Sequence, residues 1–205
     1  MKRSYQVKSF AEEDTPGKSK FRIALATASA DFDHINALTL CGGNRHFEKI
    51  VHKSNKNSYI TSCETDRGVF ENAASSINKN LRSWDMGNRV AKGRNEIHHI
   101  RVEDYLIQTQ KRFNLIWLDY CGLVSKEIFD LKLMDRFEDG RAVFAITLLG
   151  NRYREDISRN MNGRSIQMFV RDEIYKLLPS QFEYDQELSG TYKDSSIMMN
   201  VVFRK

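Results

Sequence analysis

The stretch Phe113-Asn114-Leu115-Ile116-Trp117-Leu118-Asp119-Tyr120-Cys121-Gly122 carries the reading of the fold. Phe113 to Leu118 is apolar on both faces except for Asn114, as a central parallel strand is when helices cover both sides of its sheet. At its end an acid, an aromatic ring and a glycine emerge together. In an open α/β sheet the crevice beyond the strand carboxyl ends is where ligands bind. Three earlier apolar runs end in similar punctuation. Ala37–Leu40 runs into Cys41-Gly42-Gly43, Tyr59–Cys63 into Glu64, and Ile97–Val102 into Glu103-Asp104. Together they predict a nucleotide-like ligand lying across one edge of the sheet.

Outward from these runs the chain alternates. Asn44–Lys53 carries Phe47, Ile50 and Val51 at helical spacing, and Arg67–Arg82 lines up Val69, Phe70, Ala73, Ala74, Ile77 and Leu81 as one apolar stripe. Residues 83–95 read as a connecting loop, followed by a strand near Glu96–Val102 and a short helical piece at Tyr105–Thr109. Ser125–Phe137 fits an amphipathic helix, Ala142–Leu149 is an aliphatic strand, and Arg164–Leu178 is a helix ended by Pro179. Phe182–Leu188 and Ser196–Phe203, around Ser189-Gly190-Thr191, predict a β-hairpin. The expected fold is therefore α/β: a doubly wound, mostly parallel sheet with helices on both faces and a C-terminal antiparallel β-hairpin. Residues 1–34 read as a polar N-terminal arm and lead-in, in which Phe21–Ala30 is apolar enough to pack as a helix or an edge strand. Residues 35–205 form the domain proper.

Composition excludes several classes. In 205 residues, 40% are hydrophobic and 29% charged, an ordinary balance for a globular domain. No apolar run approaches the roughly 20 residues that span a bilayer. The charged start lacks a following apolar segment, so it does not read as a secretory signal. Three cysteines with no C-x-x-C spacing fit a reduced, cytoplasmic setting. The net charge of +5 permits a polyanionic partner. Arg152, Arg154, Arg159 and Arg164 concentrate that charge, opposed locally by Glu155 and Asp156 alone. The guanidinium fork pairs bidentately with phosphate, so this segment is the candidate nucleic-acid contact. A solvated helix face with ion pairs is the alternative.

The order of elements and the terminal hairpin resemble the class I S-adenosylmethionine-dependent methyltransferases over residues 35–205. Leu38-Thr39-Leu40-Cys41-Gly42-Gly43-Asn44 is similar to that family's glycine-rich first loop, where backbone approaches the cofactor closely. It departs from the pattern at Thr39, where the family usually has an acid, and at Cys41, where it has another glycine. The resemblance implies a cofactor site at Cys41, Gly42 and Gly43. It makes Glu64 the acid on the ribose hydroxyls and Asp104, with Glu103 competing, the acid on the adenine amine. Asp119-Tyr120-Cys121-Gly122 is similar to the Asp-Pro-Tyr-Gly motif of amino methyltransferases that act on nucleic acid, without its proline. By that likeness Asp119 accepts hydrogen bonds from an exocyclic amine and Tyr120 stacks on the base, which must leave any duplex to be reached. The implied activity is methyl transfer to a base amine of DNA or RNA, without a metal; the lack of a separate target-recognition domain suggests modest sequence specificity or dependence on a protein partner.

Other chemistries are less well supported. Cys41, Cys63 and Cys121 end neighbouring strands and could converge, but a buried cysteine most often acts as a small hydrophobe. Neither G-x-x-x-x-G-K-[ST], G-x-G-x-x-G nor G-x-S-x-G occurs, which argues against kinase-like, dehydrogenase and hydrolase readings. The surviving alternatives are a binding or scaffold protein with a decayed cofactor loop and a small-molecule methyltransferase.

Overall fold

The computed structural model describes residues 15–42, 44–79, 86–120, 122, 124–150, 153, 155–193 and 196–205. Five strands form the parallel heart of one sheet: β1 (Ile35–Leu40), β2 (Ser58–Glu64), β4 (Asn95–His99), β5 (Leu115–Asp119) and β6 (Val143–Leu149). The order is β3-β4-β2-β1-β5-β6-β9-β7, with β8 also paired to β9. β3 (Arg89–Lys92), β7 (Glu183–Tyr184), β8 (Gly190–Lys193) and β9 (Ile197–Arg204) all pair antiparallel. The strand order reverses between the parallel neighbours β1 and β5, and the carboxyl ends at such a switch point are where open α/β sheets bind ligands.

β5 is central because both its faces are covered. Leu115 and Trp117 face α1 (Pro16–Ala28) and α2 (His46–Ser54), packing with Phe21, Leu25, Phe47 and Val51. Ile116 and Leu118 face α4 (Val102–Gln108) and α6 (Ile166–Tyr175), packing with Leu106, Phe169 and Ile174. α3 (Arg67–Ile77) covers β4 on the first face through Phe70, Ala73 and Ala74. Trp117 meets Phe47 edge-on at 4.5 Å, and its indole Nε1 donates to Thr147 Oγ1 at 3.0 Å. Thr147 in turn donates to Asn200 Oδ1 at 2.8 Å, so a hydrogen-bond chain ties β5, β6 and β9 inside the core. Among the described residues no helix is long and apolar enough to cross a membrane.

The fold class is as expected from the sequence, and several elements differ in detail. The apolar part of the lead-in is the helix α1, with Phe21, Leu25 and Ala26 buried; residues 1–14 lie outside the described residues. The expected loop before β4 contains β3, joined to β4 by the two-residue turn Gly93-Arg94. Gly93 has φ +61°, a conformation glycine adopts without a steric cost. β4 stops at His99, and Val102 opens α4 instead of ending the strand.

The helix expected over Ser125–Phe137 is not there. A short 3-10 turn covers Lys126–Asp130, and the chain then passes through a turn at Met134-Asp135 to a single bridge at Phe137. Leu131 and Leu133 are buried between exposed Lys132 and Met134, a period of two that the apolar count alone concealed. Phe113 N–H donates to Arg136 O at 2.8 Å and Phe113 O accepts from Glu138 N–H at 3.0 Å, pinning this segment beside β5. Of the expected first hairpin strand, Phe182–Leu188, only β7, Glu183–Tyr184, is a strand, and the expected turn at Ser189-Gly190-Thr191 instead opens β8. Asp185 Oδ1 accepts from the amides of Glu187 and Leu188, both at 3.0 Å, and bends the backbone between them. A six-residue helix, α5 (Glu155–Asn160), had no counterpart in the sequence reading.

Candidate active site

At the carboxyl edge of the sheet the first loop leaves β1 with Cys41 N–H bonded to Cys63 O at 2.9 Å, one pair beyond the strand. Gly42 O then accepts from Arg45 N–H at 3.0 Å and α2 begins. Gly43 lies outside the described residues. Arg45 caps α2 in the left-handed region, φ +53° and ψ +42°, a conformation that is costly for a side chain of its size. Its guanidinium reaches inward under α2, bonding Asn95 Oδ1 and lying 3.7 Å from the buried carboxylate of Glu48. Glu48 also accepts from Ser62 Oγ at 3.2 Å. The loop is therefore anchored by a buried polar cluster below it.

Thr39 is fully buried, and Cys41 packs with Phe70, Ala73 and Ala74. Cys63 packs in the cluster on the opposite face, and burial pushes its thiol up out of the nucleophilic range. Cys41 and Cys63 thus do not share a pocket; Cys121 lies outside the described residues.

Glu64 ends β2 with its Oε1 accepting from the amides of Thr65 and Asp66, both at 2.7 Å. Among the described residues its Oε2 accepts no hydrogen bond. Burial raises the Glu64 carboxyl, and the two amides only partly offset that. The neighbouring Asp66 takes the capping role on α3, accepting from Val69 N–H at 2.9 Å. Glu64 is left with one oxygen for another partner.

The two acids after β4 separate. Asp104 lies on the exposed side of α4, gripped by Arg101 at 2.9 and 3.2 Å, and the guanidinium lowers its carboxyl. Glu103 turns toward the strand edge and accepts from the Tyr120 hydroxyl at 2.7 Å. Of the pair, Glu103 is the one joined to the end of β5. The Tyr120 ring packs against the core cluster, and burial first, with the Glu103 charge second, pushes its hydroxyl far above the usual tyrosine range.

Asp119 meets a partner that sequence reasoning did not supply. Lys18 Nζ, from α1, lies 2.5 Å from Asp119 Oδ2, with only 12% and 10% of the two side chains exposed. Thr15-Pro16, with proline at the first helical positions, was the available signal for α1. No spacing could have predicted a contact 101 positions away in the chain.

Arg152 and Arg154 lie outside the described residues. Arg159 is exposed in the last turn of α5. Arg164 is largely committed within the fold: it bonds Asp172 at 3.0 Å and Met161 O at 3.1 Å, and lies 5.1 Å over the Phe169 ring. The basic segment is thus partly a set of internal braces.

No protein-family model matches this chain, and no curated protein does. Solved structures do match. The plantazolicin methyltransferase BpumL, in complex with SAH, superposes with a TM-score of 0.54 over 94% of this chain and 91% of its own, at 11% identity. Magnesium protoporphyrin IX methyltransferase ChlM from Synechocystis PCC 6803, with bound SAM, gives 0.54 over 89% and 76%, at 8% identity. TrmN from Thermus thermophilus gives 0.55 at 11% identity; 90% of this chain covers 48% of that one. The shared feature is architecture: this chain has the fold of the class I S-adenosylmethionine-dependent methyltransferases.

Proposed function

We propose that this chain is an S-adenosylmethionine-dependent methyltransferase whose acceptor is a base amine of DNA or RNA. The observation that carries the reading is the half-buried Glu64 at the end of β2, with Oε2 uncommitted, on the same sheet edge as Asp119. A vicinal diol suits that oxygen. The side chains on the β1 loop fit the same group, because Cys41 turns into the α3 cluster and leaves the backbone of Gly42 at the edge. Glu64 would hold the ribose, the Gly42 region the methionine portion, and Glu103 or Asp104 the adenine side. The bound cofactor supplies an electrophilic sulfonium methyl.

Asp119, held in place by Lys18, would accept an N–H from the acceptor amine and so orient the nitrogen lone pair. On transfer the nitrogen would bond the methyl carbon as the carbon–sulfur bond breaks, leaving the neutral thioether as the departing group, and the nitrogen would lose one proton to water. Tyr120, fixed by Glu103, would wall the acceptor side. Arg159 would contact phosphate, with Arg152, Arg154 and Arg164 forming the rest of that segment. BpumL and ChlM act on other acceptors by their names, so the arginine segment, more than the fold, supports the nucleic-acid choice. Thr39 and Cys41, the departures in the first loop, favour a second reading: a binding or scaffold protein of the same fold.

Calorimetric titration with S-adenosylmethionine separates the two readings. Micromolar binding, followed by labelled methyl transfer to a DNA or RNA pool, is the expected result. Asp119→Ala should abolish transfer and spare cofactor binding; full turnover in that variant would remove Asp119 from the acceptor site. No binding to the chain would favour the scaffold.

A further inference from the structure

The opposite end of the sheet carries a groove of about 470 Å³, of mixed polar and apolar lining, within the size range of small-ligand sites. It lies where the strands begin, on the α4 face. Tyr59 and Glu64 are five residues apart on β2, so the groove sits about 16 Å from the cofactor edge. α4 spans only seven residues and leaves the first residues of β2 and the β3–β4 hairpin uncovered. Tyr59 is accordingly half exposed, between buried Ser58 and Ile60.

The lining has a definite chemistry. The Gly93-Arg94 turn holds the Arg94 guanidinium 5.7 Å above the Tyr59 ring. Among the described residues, that guanidinium makes no hydrogen bond or ion pair. Arg89 and Lys111 both grip Glu96 and keep much of their own length exposed. Across the groove, Glu138 accepts from Asn36 Nδ2 at 3.1 Å and is paired with His34 at 2.8 Å. An aromatic ring, a guanidinium over its face and further cations are what a nucleotide unit uses: π-face for the base, charge for the phosphate. The two carboxylates suit base amines or ribose hydroxyls and would repel an acidic peptide.

We propose that this groove binds a nucleotide unit, with the base against the Tyr59–Arg94 pair and the phosphate on Arg89 and Lys111. The inference does not depend on methyl transfer. The nucleotide could be free or part of a single strand, and the two are distinguished by titration with adenosine monophosphate and with a fluorescein-labelled ten-residue oligothymidylate.

At low salt and without S-adenosylmethionine, one or both probes should bind. Tyr59→Ala and Arg94→Ala should each weaken binding by about tenfold, the effect of losing one stacked base. Tyr59→Phe should bind as the unaltered chain does, which separates stacking from any effect on folding. Binding of the oligomer alone would assign the groove to a strand, and binding of the monophosphate would assign it to a free nucleotide. Equal affinity in the Tyr59→Ala and Arg94→Ala chains, binding of polyglutamate alone, or no binding of either probe would overturn the proposal.

Discussion

Glu64 and Asp119 end two strands of one sheet, yet their surroundings differ. Glu64 is held by two backbone amides and raised by burial, so its carboxylate forms at higher pH than an ordinary glutamate's. A carboxyl raised in the folded chain favours folding below its unfolded pKa, and that contribution disappears as pH rises through the folded value. Cofactor binding should run the other way. S-adenosylmethionine affinity is expected to fall as pH drops through the raised Glu64 range, and Glu64→Gln should flatten that dependence in calorimetry. Asp119 instead depends on Lys18. Lys18→Met should destabilise the chain by about 2 kcal/mol, less than the 3–5 kcal/mol of a fully buried pair because the edge meets solvent. Urea denaturation of Lys18→Met and of Lys18→Met/Asp119→Leu measures it, with the double variant expected to recover part of the loss. The acid at the end of β5 was legible from Asp119 following an apolar run. Its partner was not, because an ion pair between distant segments leaves no local pattern.

Among the elements, the β3–β4 hairpin is held by electrostatics as well as pairing. Burial pushes Glu96 up, but hydrogen bonds from Lys111 and Arg89 outweigh it and hold the carboxyl at about 2. A depressed carboxyl stabilises the fold above its unfolded pKa, and the contribution is lost as pH falls toward 2. The stability gap between the natural chain and Glu96→Gln should therefore be full at pH 6 and shrink between pH 4 and pH 2, by denaturant titration at each pH. The hairpin escaped sequence reading because Arg89–Lys92 has one buried residue, Val90, and three charged or small neighbours. An edge strand with one inward side chain carries almost no alternation. Ser125 to Phe137 failed for the opposite reason: its apolar residues fit a helical stripe on paper, while the bridge that fixes its end, Phe137 to Phe113, joins positions distant in the chain. Strands with both faces buried, β1, β5 and β6, were read correctly because their apolar runs were short and sharply bounded.

At the scale of the whole molecule, β9 enters the sheet between β6 and the short strands β7 and β8. The Trp117–Thr147–Asn200 chain locks that arrangement within the apolar core. Thr147→Val keeps the shape but leaves the indole N–H without its acceptor, and should cost about 1–3 kcal/mol of stability by thermal or urea unfolding. The sequence by itself determined the alternation of strands and helices, the parallel heart of the sheet, and the acids at the strand ends, because burial periodicity and chain breaks are local properties. Only the tertiary structure decided that Lys18 pairs with Asp119, that Glu103 and not Asp104 joins Tyr120, that Arg164 braces Asp172, and that Tyr59 opens onto a groove at the opposite end of the sheet. Each of those depends on which distant segments pack together, and that packing is set by the whole core at once.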